Sequence, residues 1–252
     1  LCVGATQVAF NGHRLAVVGK RQDARGEFVV DRNVIKVFDL DAKTGLFQLL
    51  VKDRMPVAEL PVPQGVTALA FAPDGSLVHG GPDGRLRFRK SNGWSEVGTL
   101  PAFEADPDRA VVAIAFGGIL RWMAAGTKQG NIGIWRPGPS GGQSSDAFVA
   151  GPSFPHGFSS LSRLAVSPDG DLVAGLGWAR TGLSGRVIRV WEVSTGRLDC
   201  WLEGRRPDGT DVIGGDNALA FTTDSRSLLF GAPNGELGVW TLPVDHRIHL
   251  EA

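Results

Sequence analysis

A short alanine-centred motif recurs five times along the chain and constrains the fold more than any other feature. In each copy an aliphatic residue precedes the alanine and an apolar residue follows it, and successive alanines lie 45 to 61 residues apart. The five alanines are Ala9, Ala70, Ala115, Ala165 and Ala220. Recurrence at this interval indicates a repeat architecture in which each interval forms one supersecondary unit.

A second motif follows four of the five alanines. Residues 35–38, 132–135, 188–191 and 237–240 alternate in character and end in an aromatic residue. Alternation with a period of two predicts a β-strand, and a bulky ring on one face predicts packing against a neighbouring sheet.

Tight turns separate these motifs. Residues 72–75 and 167–170 both contain Pro-Asp-Gly, in which proline presets φ and glycine accepts a positive φ. Asp83-Gly84 and Asn234-Gly235 are hairpin sequences that precede the third strand of their units. Each interval is therefore predicted to be a set of short antiparallel strands.

The order of inner strand, Pro-Asp-Gly turn, second strand, Asp/Asn-Gly turn and aromatic third strand resembles the WD-repeat β-propeller family. The resemblance covers nearly the whole chain. It implies an all-β propeller of four-stranded antiparallel blades, as a single domain over residues 1–252. We expect five WD-like blade units, at about 6–51, 66–100, 110–150, 161–203 and 216–251.

Several residues depart from the family pattern. The chain has no Trp-Asp dipeptide, and no Gly-His pair opens a repeat. The family's Asp–His–Ser–Trp hydrogen-bond network is therefore not expected, and blade cohesion should come mainly from apolar packing. In the second unit the aromatic position falls on Arg89. We expect its stem to lie across the sheet and its charge to reach water, with a dedicated contact as the alternative.

The number of blades in the intact ring stays open at this point. Either five blades close through side-chain packing, or the segment belongs to a larger ring, which is the favoured alternative. The last unit is predicted to contain its own outer strand at residues 246–251. We therefore do not expect the closure in which a strand from the amino-terminal end completes the last blade. The chain begins at Leu1, as expected of an excised segment.

Long loops are concentrated on one predicted face, at residues 20–33, 52–65, 101–109, 151–160, 178–185 and 204–215. Long loops on a rigid scaffold carry binding residues, and Trp and Arg are enriched at interface hot spots. We therefore predict a non-catalytic scaffold or regulatory domain that binds a protein or peptide, or other domains of a larger chain. The candidate partner-binding residues are Arg21, Asp23, Arg25, Phe28, Trp178, Arg180, Arg205, Arg206, Asp208 and Asp211.

The resemblance also implies a place in a larger protein, since many bacterial WD-repeat segments are fused to kinases, proteases or nucleotide-driven switches. A small-ligand or hydrolytic propeller is the alternative, with Asp23, His156 and Asp211 converging at the mouth of the central channel. A third alternative is a purely structural ring that spaces neighbouring domains.

The sequence matches catalytic and metal-binding motifs only in part. Residues 138–142 match a nucleophile elbow, but the stretch lies in a Pro/Gly-rich loop without a following helix. Residues 39–45 resemble a calcium loop, yet Lys43 occupies a ligand position. Cys2 and Cys200 are too few for a disulfide framework or a four-cysteine zinc site. We expect no catalytic residue, metal or cofactor.

Charge and hydropathy restrict the partners and the compartment. Lys plus Arg and Asp plus Glu are equal at 26 each, which disfavours non-specific nucleic-acid binding. No apolar run approaches the roughly 20 residues that span a bilayer, and no basic-then-apolar leader begins the chain. We expect a cytoplasmic protein without a membrane partner.

Overall fold

The chain is built from antiparallel β-sheets. The computed structural model describes residues 5–22, 28–40, 56–103, 106–117, 122–137, 148–154, 158–180, 185–205, 209–214, 218–233 and 235–243. Within these residues, 19 strands form five sheets in which consecutive strands pair. Four sheets are four-stranded meanders, and the fifth has three described strands. We call the sheets blades 1 to 5. None of the residues described belongs to a helix long and apolar enough to cross a membrane.

The strands follow one another along the chain. Blade 1 contains β1 (Ala5–Phe10), β2 (Arg14–Gln22), β3 (Phe28–Asp39) and β4 (Ala58–Pro61). Blade 2 contains β5 (Ala68–Phe71), β6 (Leu77–Gly80), β7 (Leu86–Arg89) and β8 (Glu96–Leu100). Blade 3 contains β9 (Val111–Gly117), β10 (Trp122–Thr127), β11 (Ile132–Pro137) and β12 (Phe148–Phe154). Blade 4 contains β13 (Phe158–Val166), β14 (Leu172–Ala179), β15 (Arg186–Glu192) and β16 (Leu198–Glu203). Blade 5 contains β17 (Leu219–Phe221), β18 (Ser227–Gly231) and β19 (Leu237–Thr241).

The blades pack face to face within two compact units. The described residues up to Val111 form the first unit, and those from Val112 onwards form the second. In the first unit, apolar side chains of blades 1 and 2 share one core. In the second unit, blade 4 packs on blade 3 through one core and on blade 5 through another. Trp191, the aromatic end of the repeat motif, is 1% exposed and lies 5.7 Å from Phe154 and 5.8 Å from Phe158, centroid to centroid.

The turn between the first two strands has the same construction in blades 2, 4 and 5. An aspartate carboxylate accepts a hydrogen bond from the backbone nitrogen two residues further on, which is an Asx turn. The three donor–acceptor pairs are Ser76–Asp74 (2.8 Å), Asp171–Asp169 (3.1 Å) and Arg226–Asp224 (3.0 Å). The residue after the aspartate has a positive φ, which Gly75 and Gly170 adopt without strain.

The β2–β3 hairpin of blade 1 is longer than predicted. Residues 20–33 were expected to be a loop, but Arg21 pairs with Val29 and Gln22 pairs with Phe28. The charged residues of this segment suggest a loop, whereas Phe28, Val29 and Val30 are good strand formers. Arg21 and Phe28 are therefore strand residues and not loop residues.

Other strand boundaries also differ from those predicted. The last strand of blade 1, β4, lies beyond residue 51 and inside the expected loop 52–65. Leu60 is 7% exposed in the core of blades 1 and 2, and the edge position tolerates Pro61. Most of the expected loop 151–160 is strand, because β12 ends at Phe154 and β13 begins at Phe158. The predicted outer strand at 246–251 lies outside the described residues.

Arg89 joins blade 2 to blade 1 instead of reaching water. Its side chain is only 13% exposed. Nη2 donates to the carbonyl oxygen of Pro61 and Nη1 to that of Trp94, both at 3.3 Å, and Glu96 lies 3.6 Å away. The guanidinium is thus hydrogen-bonded to one backbone carbonyl of each blade, at the boundary that we call the seam between blades 1 and 2. The expected extension of its charge into water was wrong, and the guanidinium is bound within the protein instead.

Blade 2 also contains polar groups on the same face of its sheet. His79 is fully buried and lies opposite Arg87, which forms an ion pair with Asp83 of the β6–β7 turn. Burial, with smaller contributions from Arg89 and Arg87, lowers the pKa of His79 to about 3, so the imidazole is neutral. Cohesion in blade 2 therefore depends on this ion pair and on Arg89 as well as on apolar packing.

Candidate functional site

Trp178 is presented at the loop end of blade 4. It lies near the end of β14 and pairs in register with Arg186, the first residue of β15. The Arg186 Cζ atom is 5.0 Å from the centroid of the indole ring, a cation–π distance. The Trp178 side chain is nevertheless 44% exposed. A neighbouring cation therefore orients the ring while much of its surface remains in contact with solvent.

Strand β13 supports the backbone beneath this ring. The Ser159 hydroxyl is within hydrogen-bonding distance of two carbonyl oxygens, those of Trp178 at 3.4 Å and Ala179 at 3.1 Å. Trp178 also pairs with Ser160 in the β13–β14 ladder. Because both neighbouring strands fix its backbone, Trp178 belongs to the rigid sheet and not to the loop that follows.

Arg205 and Asp211 form an ion pair in the connection that follows β16. Arg205 Nε donates to Asp211 Oδ1 at 2.9 Å, and the two residues also form an isolated backbone bridge. Both side chains are about half exposed, at 47% and 51%. The hydrogen bond from Arg205 is the largest influence that lowers the pKa of Asp211, and the charge of Arg186 lowers it further. Arg186, Arg205 and Asp211 therefore share one electrostatic environment.

Gly204 brings this connection against β15. Its nitrogen donates to the carbonyl oxygen of Arg186 at 2.7 Å, and its own carbonyl accepts from Val212 at 2.7 Å. A Cβ at position 204 would lie 2.2 Å from the Arg186 carbonyl oxygen, so no side chain fits there. Two residues beyond Asp211, Ile213 is buried in the core between blades 4 and 5. The connection is thus anchored on both sides of the ion pair.

We call the set Trp178, Arg180, Arg186, Arg205 and Asp211 the blade-4 end surface. Three of the predicted residues, Trp178, Arg205 and Asp211, are linked through Arg186 in this surface. Arg180 is exposed two residues after Trp178. Sequence reasoning missed Arg186, because its position opposite Trp178 depends on the register of the β14–β15 hairpin.

The remaining predicted residues fall into two groups. Arg21 and Phe28 are strand residues of blade 1, in the other compact unit. The remaining candidates, Asp23, Arg25, Arg206 and Asp208, lie outside the described residues. The structure therefore gathers part of the predicted set at one blade and leaves the rest as a prediction.

The described residues provide little support for a catalytic site or a metal site. Of the channel-mouth trio, Asp23 and His156 lie outside them, and Asp211 is paired with Arg205. The residues that are described include no group of three or more His, Cys, Asp and Glu side chains suited to a metal ion. Burial first, and Asp199 second, raise the pKa of the Cys200 thiol to about 12, so it is protonated and a poor nucleophile.

Comparisons with known proteins agree with this architecture. The family model described as "WD domain, G-beta repeat" matches residues 55–89, which include β4 to β7. No curated protein matches the chain. Among 1379 matching chains of solved structures is one titled "Crystal Structure of Mitotic Checkpoint Complex", with a TM-score of 0.64 and 16% sequence identity. The match covers 94% of this chain and 61% of that chain, so this chain spans about three-fifths of its length. The fold is a β-propeller, and the predicted resemblance to the WD-repeat family is confirmed.

Proposed function

We propose that this chain is a non-catalytic protein-interaction module that binds a protein or peptide on the blade-4 end surface. The observation that carries the proposal is the exposure of Trp178, which is 44% accessible although a strand ladder and Arg186 fix its position. The partner is a separate protein or another domain of a longer chain.

The physical argument rests on preorganisation. A partner that covers an exposed indole gains apolar burial at roughly 25 cal/mol per Å². Because β13 and β15 fix the Trp178 backbone and Arg186 lies over its ring, less side-chain entropy is lost when the partner binds. Hot spots are enriched in Trp, Tyr and Arg, and this surface combines one Trp with three Arg residues.

Exposure of a tryptophan alone does not define the surface. Trp201 of β16 is 53% exposed in the same blade and lies opposite Arg189 in the β15–β16 ladder. It projects from the opposite face of the sheet to Trp178, because its partner Arg189 and the Trp178 partner Arg186 lie three residues apart on β15. Trp201 is therefore the matched control for Trp178, with similar exposure and the same sheet.

Photo-crosslinking in the source cells tests the proposal. A benzoylphenylalanine residue is placed at position 180 of the full chain, and at position 201 in the control. We expect position 180 to capture a discrete protein partner, and Trp178→Ala to abolish that capture. Trp201→Ala should leave it unchanged, and circular dichroism confirms that each variant folds. Equal capture from both positions, or capture that survives Trp178→Ala, would refute the proposal.

A further inference from the structure

The charges on the blade-4 end surface are unequal. Three guanidinium groups, those of Arg180, Arg186 and Arg205, are accompanied by one carboxylate, that of Asp211. Glu203 is nearby in sequence but pairs with Val187, and alternation along β15 places Val187 and Arg186 on opposite faces of the sheet. The described surface around Trp178 therefore has an excess of positive charge, although the whole chain has none.

The ion pair engages only part of the Arg205 guanidinium. Nε donates to Asp211, and the Arg205 side chain makes no other hydrogen bond or ion pair with the residues that the structure describes. A guanidinium has five N–H donors in a planar fork, so the terminal nitrogens remain able to bind a second carboxylate. Asp211 orients this fork and at the same time partly neutralises its charge.

We infer that the ligand of this surface is an acidic peptide segment, with Asp or Glu carboxylates bound by the arginines and an adjacent apolar side chain covering Trp178. The inference rests on the proposed function and specifies its partner. Asp211 competes with the incoming carboxylates for Arg205. It therefore lowers the affinity for acidic ligands and favours those whose carboxylates compete best for Arg205. Single-stranded nucleic acid also combines stacking with negative charge, but the balanced charge of the whole chain provides little attraction for a phosphate backbone.

Fluorescence anisotropy with defined peptides tests the inference. The probes are short fluorescein-labelled peptides of alternating Glu and Leu, the same peptides with Gln or Lys in place of Glu, and a short oligouridylate. The full chain should bind the Glu peptide better than any other probe. Raising the salt concentration from about 0.05 to 0.3 M should weaken that binding, because exposed charges are screened.

Charge variants then assign the binding to this surface. Arg205→Gln should lower the affinity for the Glu peptide about fivefold, and Asp211→Asn should raise that affinity by a similar factor. Arg197, which is 59% exposed and ion-paired with Glu192 beyond the other end of β15, is the matched control. Arg197→Gln should leave the affinity within about twofold.

Several results would overturn the inference. These are preference for the Lys peptide or the oligouridylate, no effect of Asp211→Asn, and no binding of the Glu peptide below about 1 mM. The proposed function is judged separately through Trp178. If Trp178→Ala abolishes crosslinking while Glu and Gln peptides bind equally, the docking surface stands and its acidic preference does not.

Discussion

The amide nitrogen of Gly204 donates a 2.7 Å hydrogen bond to the carbonyl oxygen of Arg186, and the two backbones are too close for any side chain between them. This contact joins the end of blade 4 to the connection that carries Arg205 and Asp211. Geometry at the blade-4 end surface therefore depends on a residue that has no side chain to offer a partner.

Gly204→Ala should disturb the surface without removing any of its charged or aromatic groups. A Cβ would lie 2.2 Å from the Arg186 carbonyl oxygen, so one of the two segments must move. We expect the free energy of unfolding in urea to fall by about 1–3 kcal/mol and the Glu peptide to bind more weakly.

Gly209→Ala is the control for this variant. It adds the same methyl group in the same connection, where no atom of the residues in the described ranges lies within 4 Å, and the expected cost comes from the φ of +86°. That conformational cost is about 1 kcal/mol. If Gly204→Ala retained full peptide binding, the Gly204–Arg186 contact would not be what positions the surface.

Arg89→Met should weaken the seam between blades 1 and 2. The substitution keeps an unbranched stem but removes the donors to the Pro61 and Trp94 carbonyls, and it leaves Glu96 without its partner cation. We expect a loss of about 2–4 kcal/mol in the free energy of unfolding, because the carbonyl oxygens of Pro61 and Trp94 remain and lose their donor. Lys90→Met, at the exposed neighbouring position, should change it by less than about 0.5 kcal/mol. Equal losses for the two variants would show that Arg89 acts only as a surface charge.

The sequence predicted the features that depend on local periodicity. Alternation that ends in Trp191 predicted a ring between sheets, and this ring lies between Phe154 and Phe158. The sequence also predicted Trp178 as a candidate, because it begins a predicted long loop on a rigid scaffold and tryptophan is enriched at interface hot spots. These signals lie within one repeat, where neighbours in sequence are neighbours in the sheet.

Features that depend on register or on contacts between blades could not be predicted in the same way. Arg186 joins the surface only because β14 and β15 pair in a register that places it opposite Trp178, and a shift of one residue would put it on the other face. Arg89 reaches Pro61, which is 28 residues away in the preceding blade. The short edge strand β4 has too few apolar residues to show alternation.

Ser225 should show how a strained turn is held in place. It has a φ of 59° and is 2% exposed, and its hydroxyl accepts a 3.1 Å hydrogen bond from the backbone nitrogen of Asp169 in blade 4. Ser225→Ala removes this acceptor and keeps the strain, so the free energy of unfolding should fall by about 1–2 kcal/mol. Ser225→Gly loses the same bond but recovers about 1 kcal/mol of left-handed strain. We expect the glycine variant to be the more stable of the two in urea denaturation, and the reverse order would contradict this account of the turn.

His79 should make the protein sensitive to mild acid. Its pKa is lowered from 6.5 to about 3 in the folded state, chiefly by burial and then by Arg89 and Arg87. Below pH 6.5 the unfolded chain therefore binds a proton that the folded chain does not. The free energy of unfolding then decreases by up to about 1.4 kcal/mol for each unit by which the pH is lowered. Between pH 6.5 and 5, urea denaturation should show a loss of about 1–2 kcal/mol from this group. Arg89 Nε donates to His79 Nε2 at 3.4 Å. His79→Gln, whose side chain does not titrate and still offers Arg89 an acceptor, should remove that loss. Burial alone would raise the pKa of Asp83, but its hydrogen bonds and the charge of Arg87 outweigh burial and lower it, so this carboxylate remains ionised in that interval and does not obscure the effect. Parallel pH profiles for the two proteins would mean that His79 accepts its proton in the folded state, with an open path to water beside Arg87 and Arg89.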